Sequence, residues 1–250
     1  MQKIIAANWK MYKSRPEARK TAAELRGLLS AEYPPGKRVV IFPSFTNLSD
    51  VLDIFAATPC VTVGAQNFYP AVEGAYTGEI SLTMLREMGV SRVLAGHSER
   101  RHLLGEADEL VARKTAFALK QGFSVMLCIG ETLAEREAGD LVRALSRQTG
   151  AALADLPAAC LARLSIAYEP VWAIGTGKVA GPAEVLEAHA EVRALVARIF
   201  GDAGRNVPIL YGGSVKPDNA ATLLKLDNVD GLLVGGASLN AESFLRIIRA

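Results

Sequence analysis

Histidine and cysteine are scarce in this chain of 250 residues, which contains only three of each. Cys60, Cys128 and Cys160 are odd in number and form no CxxC motif, so neither a disulfide framework nor a zinc site is expected. We interpret them as small core residues in a reducing cytoplasm. The three histidines of this chain are not expected to form a metal site by themselves, so no metal is expected.

Excess charge and long apolar runs are also lacking. The formal net charge is +2, which provides no electrostatic reason to expect a nucleic acid or an anionic membrane as partner. The longest uncharged stretch, residues 54–72, is interrupted by Pro59 and Gly64 and cannot span a bilayer. The apolar segment Ile4 to Ala7 is too short for a signal peptide, so we expect a cytoplasmic protein.

Short apolar runs are, in contrast, frequent. Most are continuous rather than alternating, which predicts strands of a parallel sheet that is covered on both faces. Helix-like segments lie between them, and no linker-like stretch interrupts the chain, so we expect one domain over residues 1–250. Eight such runs predict an α/β fold, a (β/α)₈ barrel, with an open doubly wound sheet as the alternative. The runs are at 3–8, 38–43, 60–65, 91–96, 123–130, 164–170, 207–212 and 229–236.

Two helix starts carry local signals. Ser14 and Glu17 have capping-box spacing, and Pro182 suits the first turn of a helix. The apolar face predicted for that second helix includes His189, which we interpret as a core or boundary histidine. Its other members are Val185, Leu186, Val192, Val196 and Ile199.

Glu169 ends an apolar run and is followed directly by Pro170, in the stretch AYEPVWAIGTGK at 167–178. The proline disfavours helical geometry for Glu169 and keeps it extended at the strand tip. Apolar neighbours such as Trp172 and Ile174 are expected to raise the pKa of its carboxyl, which suits a general base near neutral pH. A structural glutamate in a salt bridge is the alternative that this stretch alone leaves open.

His97 and Lys10 also follow apolar runs. A helix begins near His97, and its N-terminus is expected to keep the imidazole neutral, as a hydrogen-bond donor to a substrate oxygen. Lys10 comes two residues after Asn8, on the same side of the first strand. Its charge suits an anionic substrate, although a solvated lysine fits the pattern equally well.

Glycine-rich turns follow the last two runs, as YGGSV at 211–215 and LVGGAS at 233–238. In barrels this position commonly binds phosphate through backbone N–H groups, to which Ser214 would add a hydroxyl. The segment GTGKVA at 175–180 matches a dinucleotide-binding pattern only superficially, because its glycines lie well after the strand end. No nucleotide cofactor is therefore expected.

These blocks together resemble the triosephosphate isomerase family. The resemblance covers essentially the whole chain in family order. It is carried by NWKM (8–11), GAQN (64–67), GHSERR (96–101), CIGETLAERE (128–137), AYEPVWAIGTGK (167–178), YGGSVKPDNA (211–220) and LLVGGASL (232–239).

The resemblance implies a glycolytic and gluconeogenic isomerase of dihydroxyacetone phosphate and glyceraldehyde 3-phosphate, without metal or cofactor. It implies that Glu169 is the base, His97 the electrophile and Lys10, with Asn8, the group that holds substrate and oxyanion. Ser98 and Glu99 match supporting residues, and Cys128 matches a packing position. The implied phosphate-binding positions are Gly175, Ser214, Gly235 and Gly236.

The resemblance also implies a homodimer. The segment 66–81 would dock into the partner subunit, and Thr77 would reach the neighbouring site. From its residues alone this segment is a lid or an Ω-loop, with Phe68, Tyr69 and Tyr76 expected to be exposed.

Two other functions remain as alternatives. A different phosphosugar barrel enzyme would share the glycine turns, but it would not require NWK, GHSERR and the Glu-Pro-Val-Trp stretch together. A noncatalytic barrel that serves as a scaffold would be expected to lack the base or the electrophile, and both are present.

Overall fold

Eight strands provide the framework of the protein. The computed structural model describes residues 2–31, 33–174 and 178–250. The strands are β1 (Lys3–Asn8), β2 (Lys37–Phe42), β3 (Val61–Val63), β4 (Arg92–Ala95), β5 (Ser124–Ile129), β6 (Leu164–Tyr168), β7 (Ile209–Tyr211) and β8 (Gly231–Val234).

All neighbouring strands are parallel, in the order β3-β2-β1-β8-β7-β6-β5-β4. Between the two end strands, the Ala65 N–H donates to the Arg92 carbonyl and the Leu94 N–H donates to the Ala65 carbonyl, both at 2.9 Å. These two bonds join the edges of the sheet. The predicted barrel is confirmed, and the open doubly wound sheet is wrong because the edges pair with each other.

Helices follow the strands and cover the outside of the barrel. They are α1 (Arg15–Ala31), α2 (Leu48–Phe55), α3 (Leu82–Glu87), α4 (Ser98–His102), α5 (Asp108–Lys120), α6 (Leu133–Glu137), α7 (Leu141–Leu153), α8 (Pro182–Phe200), α9 (Ala220–Leu224) and α10 (Ala241–Arg249). Within the described ranges, none is both long enough and apolar enough to cross a membrane.

Both predicted helix starts are confirmed. The Ser14 N–H and hydroxyl donate to the Glu17 carboxylate at 2.8 and 2.6 Å, one residue before α1, and Pro182 opens α8. His189 is fully buried on α8, as expected. Leu186, however, is 37% exposed, so its assignment to the buried face was wrong. It lies about 100° around the helix from Val185, past the edge of the buried stripe.

Alternation along each strand produces two apolar layers. Ile4 and Ala6 point into the barrel, whereas Ile5 and Ala7 pack against the helices outside. The interior is narrow and contains mainly Val40, Phe42, Leu94, Met126, Cys128, Ala167, Leu210 and Leu233. Because both faces are buried, the strands read as continuous apolar runs in the sequence.

Candidate active site

A cavity of about 530 Å³ lies at the C-terminal ends of the strands. It brings together seven of the eight residues that sequence reasoning placed in the site, from five different strand ends. These are Asn8, Lys10, His97, Glu169, Ser214, Gly235 and Gly236. The eighth, Gly175, lies outside the described residues. Strand ends far apart in sequence meet here because parallel strands in a barrel open onto one face.

Glu169 extends β6 by one residue, and its N–H donates to the Ile129 carbonyl at 2.8 Å. It follows the inward-facing Ala167 by two residues, so its side chain enters the barrel mouth, where it is 2% exposed. Two glycines allow this placement. A Cβ at Gly130 would stand 1.7 Å from the Glu169 carbonyl oxygen, and a Cβ at Gly212 would stand 3.0 Å from its Cγ.

The Glu169 carboxylate has two partners. One oxygen is 3.0 Å from His97 Nε2, and the other accepts the Ser98 N–H at 2.8 Å. Burial raises the pKa of Glu169, but His97, the Ser98 N–H and the charge of Lys10 together outweigh burial and lower it. The raised pKa expected from sequence is therefore wrong for this arrangement, because the apolar neighbours are accompanied by donors that the sequence did not locate.

His97 is the N-cap of α4, directly after Gly96, whose φ of +73° requires a residue without a Cβ. The Glu99 N–H donates to His97 Nδ1 at 3.2 Å. Because Nδ1 accepts this bond, the ring proton lies on Nε2 and is directed to Glu169. The ring thus has the neutral tautomer that the sequence predicts.

The charge of Glu169 acts against that neutral form. Burial lowers the pKa of His97, but the adjacent Glu169 carboxylate outweighs burial and raises it. The sequence indicated only the helix N-terminus, which disfavours a positive charge, and did not locate Glu169, which sets the direction of the pKa shift. Any step that neutralises or moves Glu169 removes this effect and favours the neutral imidazole.

Lys10 is held in a left-handed conformation, with φ of +52°. For a residue other than glycine this costs on the order of 1–3 kcal/mol. Its N–H donates to Asn8 Oδ1 at 3.0 Å, its carbonyl accepts from Gln66 Nε2 at 2.9 Å, and its ammonium is 2.7 Å from Glu99. Lys10 is therefore positioned at the cavity and is not the freely solvated lysine of the alternative interpretation.

Two turns also line the cavity, and a Cβ at Gly235 would stand 3.3 Å from Cε of Lys10. Residues Gly236–Ser238 form a short 3₁₀ helix, whose first N–H groups have no acceptor within the helix. The Ser238 hydroxyl donates to the Gly235 carbonyl at 2.6 Å, and Asn219 Nδ2 donates to the Ser214 carbonyl at 3.0 Å. These bonds fix both turns, in a conformation suited to receive an anion.

Sequence reasoning missed two supporting residues. Gln66 Nε2 also donates to the Phe42 carbonyl at 2.9 Å and so ties Lys10 to β2. Glu131 is fully buried and accepts hydrogen bonds from the Tyr168 hydroxyl at 3.0 Å and from Trp172 Nε1 at 2.7 Å. Burial raises the pKa of Glu131. The only available signal was their presence in GAQN and CIGETLAERE, which does not reveal the partners.

The other reactive side chains are accounted for. Cys128 is buried inside the barrel, and burial raises the pKa of its thiol well above the usual value, which fits a packing residue. His102 is exposed. In the ranges that the structure describes, no cluster of three or more His, Cys, Asp or Glu is arranged to hold a metal ion.

A second cavity of about 300 Å³ shares Asn8, Lys10 and His97 with the first and extends toward the exposed Met11 and Leu104. It places a region of exposed apolar side chains beside the candidate site.

The loop at residues 66–81 carries further exposed side chains. Tyr69 and Tyr76 pack with ring centroids 4.1 Å apart, Tyr76 is 45% exposed, and Thr77 is exposed. The expected exposure of Phe68 was wrong, since this side chain is fully buried and anchors the loop.

The chain matches the family model for triosephosphate isomerase over residues 3–250. It is 59% identical to a triosephosphate isomerase of Nitratidesulfovibrio vulgaris (strain Miyazaki F), over the full length of both chains. It is 54% identical to a triosephosphate isomerase of Oleidesulfovibrio alaskensis, again over both full lengths. A triosephosphate isomerase of Lawsonia intracellularis is 50% identical, over all of this chain and 98% of the relative.

Proposed function

The chain belongs to the triosephosphate isomerase family, and we propose that it interconverts dihydroxyacetone phosphate and D-glyceraldehyde 3-phosphate through an enediolate. The observation that carries the proposal is the convergence of Glu169, His97 and Lys10 on one cavity that is also lined by two turns suited to an anion. This reaction belongs to glycolysis and gluconeogenesis.

Substrate binding begins with the phosphate. Ser214 and the turn at Gly235–Gly236 bind it through a hydroxyl and backbone N–H groups, because N–H groups without an intrahelical acceptor favour an anion. Gly175, which lies outside the described residues, is proposed to add one more N–H. Lys10, which lies beside Gly235, and Asn8 hold the substrate and its developing oxyanion.

The substrate carbonyl then takes the place of Glu169 at His97. Since Nε2–H now points to the carboxylate at 3.0 Å, a carbonyl oxygen that reaches His97 separates the two side chains. Release from His97 and from the Ser98 N–H removes two of the three groups that lower the pKa of Glu169. The carboxylate thereby becomes a stronger base when substrate is bound.

Glu169 next removes the proton from the carbon beside the carbonyl. The electron pair of the C–H bond forms the enediolate, whose oxygen is stabilised by His97 Nε2–H and by the charge of Lys10. Protonated Glu169 is neutral and no longer raises the pKa of His97, so the ring remains neutral. A proton also moves from the hydroxyl oxygen of the first carbon to the former carbonyl oxygen, which becomes a hydroxyl, and Glu169 returns its proton to the neighbouring carbon. Substrate and product are isomers, so these steps need no electron carrier and no cofactor.

A lid is proposed to exclude water, because an exposed enediolate could expel its phosphate. Trp172 and Ile174 lie at its start, where the Trp172 indole bonds to Glu131 at 2.7 Å. The proposed hinge at Gly175–Gly177 lies outside the described residues.

The test is a coupled assay with glyceraldehyde 3-phosphate as substrate, run in both directions. Turnover of the triose phosphates, without turnover of larger phosphosugars, is the expected result. Turnover of a larger phosphosugar alone would support the rival barrel enzyme. Binding without turnover would support the scaffold.

We further propose that residues 1–250 form one catalytic domain, which acts as a cytoplasmic homodimer. The domain assignment is supported by the spread of the site from β1 to β8. The dimer is supported by the exposed apolar side chains beside the second cavity and by the exposed loop at 66–81. Thr77 would reach the partner's site. Neither a nucleic acid nor a membrane is a proposed partner.

A further inference from the structure

A third cavity, of about 350 Å³, lies at the N-terminal end of the barrel, opposite the candidate active site. We call it the arginine cavity, because Arg38, Arg92 and Arg163 line it together and, in the described part of the chain, no Asp or Glu is among the lining residues. Its polar neighbours include Ser124 and Asn206. The cavity shares no lining residue with the active site.

The strand periodicity explains how two of these arginines come to face inward. Arg38 precedes the interior residues Val40 and Phe42 at two-residue spacing, and Arg92 precedes the interior Leu94 in the same way. Arg92 is therefore partly buried at the lowest layer of the barrel interior, and Arg38 lies exposed beside it.

These arginines lack counterions. In the part of the chain that the structure describes, none of the three has a carboxylate within 4.0 Å, whereas the nearby Arg193 is 2.5 Å from Asp230. Among the described residues, the buried Nε atoms of Arg92 and Arg163 have no hydrogen-bond partner, whereas Nη2 of Arg163 donates to the Leu119 carbonyl at 3.5 Å. Buried donors of this kind are costly to leave unpaired.

Charge repulsion adds to this cost. Burial, followed by the neighbouring charge of Arg38, lowers the pKa of Arg92 to about 10. Three like charges around a concave surface attract counterions, and planar guanidinium groups match the oxygens of phosphate with paired N–H donors. An anion would therefore supply what the chain itself does not.

We propose that the arginine cavity binds a phosphoryl group, either as inorganic phosphate or as a small phosphate monoester. The arginines come from β2, from β4 and from the turn before β6. Several guanidinium groups at one cavity suit a phosphate dianion, which offers more charge and more acceptor oxygens than a carboxylate. The cavity is larger than one phosphate, and Ser124 and Asn206 offer partners for the hydroxyl groups of an ester.

The decisive variant is Arg92→Met, which keeps an apolar stem and removes the charge. Without phosphate, we expect its melting temperature to equal or exceed that of the wild type, because an unpaired buried charge is lost. With inorganic phosphate the order reverses, because only the wild type gains the full stabilisation from binding. A purely structural role for Arg92 predicts a lower melting temperature under both conditions.

Calorimetry with inorganic phosphate separates the two anion sites. We expect Arg92→Met and Arg163→Met each to weaken the affinity of the arginine cavity for phosphate by about tenfold or more and to leave the affinity of the active site unchanged. The exposed Arg113→Met should affect neither site. Phosphate inhibition of the isomerase reaction should be unchanged in all three, which distinguishes the arginine cavity from the active site. Arg163→Met preserves the test if Arg92→Met does not fold.

The result that overturns the proposal is equal binding of phosphate by the wild type, Arg92→Met and Arg163→Met. Acetate at the same ionic strength is the second arm. If acetate stabilises the wild type as strongly as phosphate, the ligand is a carboxylate or a general anion, and the assignment to a phosphoryl group is wrong. The binding and melting-temperature outcomes do not depend on catalytic activity.

Discussion

Shortening Glu169 by one methylene, in Glu169→Asp, tests the position of the proposed base. The substitution withdraws the carboxylate by about 1.5 Å, the length of one C–C bond. Its present contacts, 3.0 Å to His97 and 2.8 Å to the Ser98 N–H, would both exceed hydrogen-bond distance if the backbone stays in place. The same withdrawal separates the base from the substrate carbon.

A misplacement of about 1 Å costs roughly 10²-fold in rate, or about 2.7 kcal/mol of transition-state stabilisation. We expect kcat to fall by about that factor, with KM changed little, because the phosphate-binding turns are untouched. Steady-state kinetics of the coupled assay measure both, and the exposed Glu109→Asp is the matched control. Glu169→Gln, which keeps the length and loses the basicity, should be slower still. The assignment of Glu169 as base would be refuted if the kcat of Glu169→Asp stayed within about threefold of the wild type. It would also be refuted if the kcat of Glu169→Gln equalled that of the wild type.

Three further predictions concern charge, pH and assembly. Lys10→Met should lower kcat/KM by up to about thousandfold, because a charge pair at 4 Å is worth roughly 4 kcal/mol at an effective dielectric of 20. The exposed Lys20→Met is the control and should leave kcat/KM unchanged. If Lys10→Met has the kinetics of the wild type, the charge role of Lys10 is contradicted. Burial lowers the pKa of His189 from 6.5 to about 4, so the unfolded chain binds a proton that the native state rejects, and stability falls as pH drops through this range. Urea unfolding should show a loss of stability on the order of 3 kcal/mol between pH 7 and 4. In His189→Asn the stability should depend less on pH over this range, and an unchanged pH dependence would exclude His189 as the source of the loss. Thr77→Arg should convert the proposed dimer to monomers in sedimentation velocity, and an unaltered size would place the interface elsewhere.

The fold was predictable because its signal is local and repeated. Each strand is buried on both faces, so residues such as Ile4 and Ile5 are both apolar although they point to opposite layers. The helix starts at Ser14 and Pro182 depend on side chains within three residues of each other. Errors occurred at Leu186 and Phe68, where exposure depends on packing partners that are distant in sequence.

For the site, the sequence by itself determined which residues stand at the strand ends, since an abrupt change from apolar residues to Glu169, His97 or Lys10 is visible in one dimension. Only the tertiary structure decided how they act on one another. The pKa of Glu169 is lowered and not raised, because His97 and the Ser98 N–H lie within 3.0 Å of a carboxylate that local sequence surrounds with apolar residues. The arginine cavity at the opposite end was equally invisible, because the absence of a carboxylate near these arginines among the described residues is a property of three-dimensional neighbours. Electrostatic interactions depend on distance through space, and distance along the chain does not specify it.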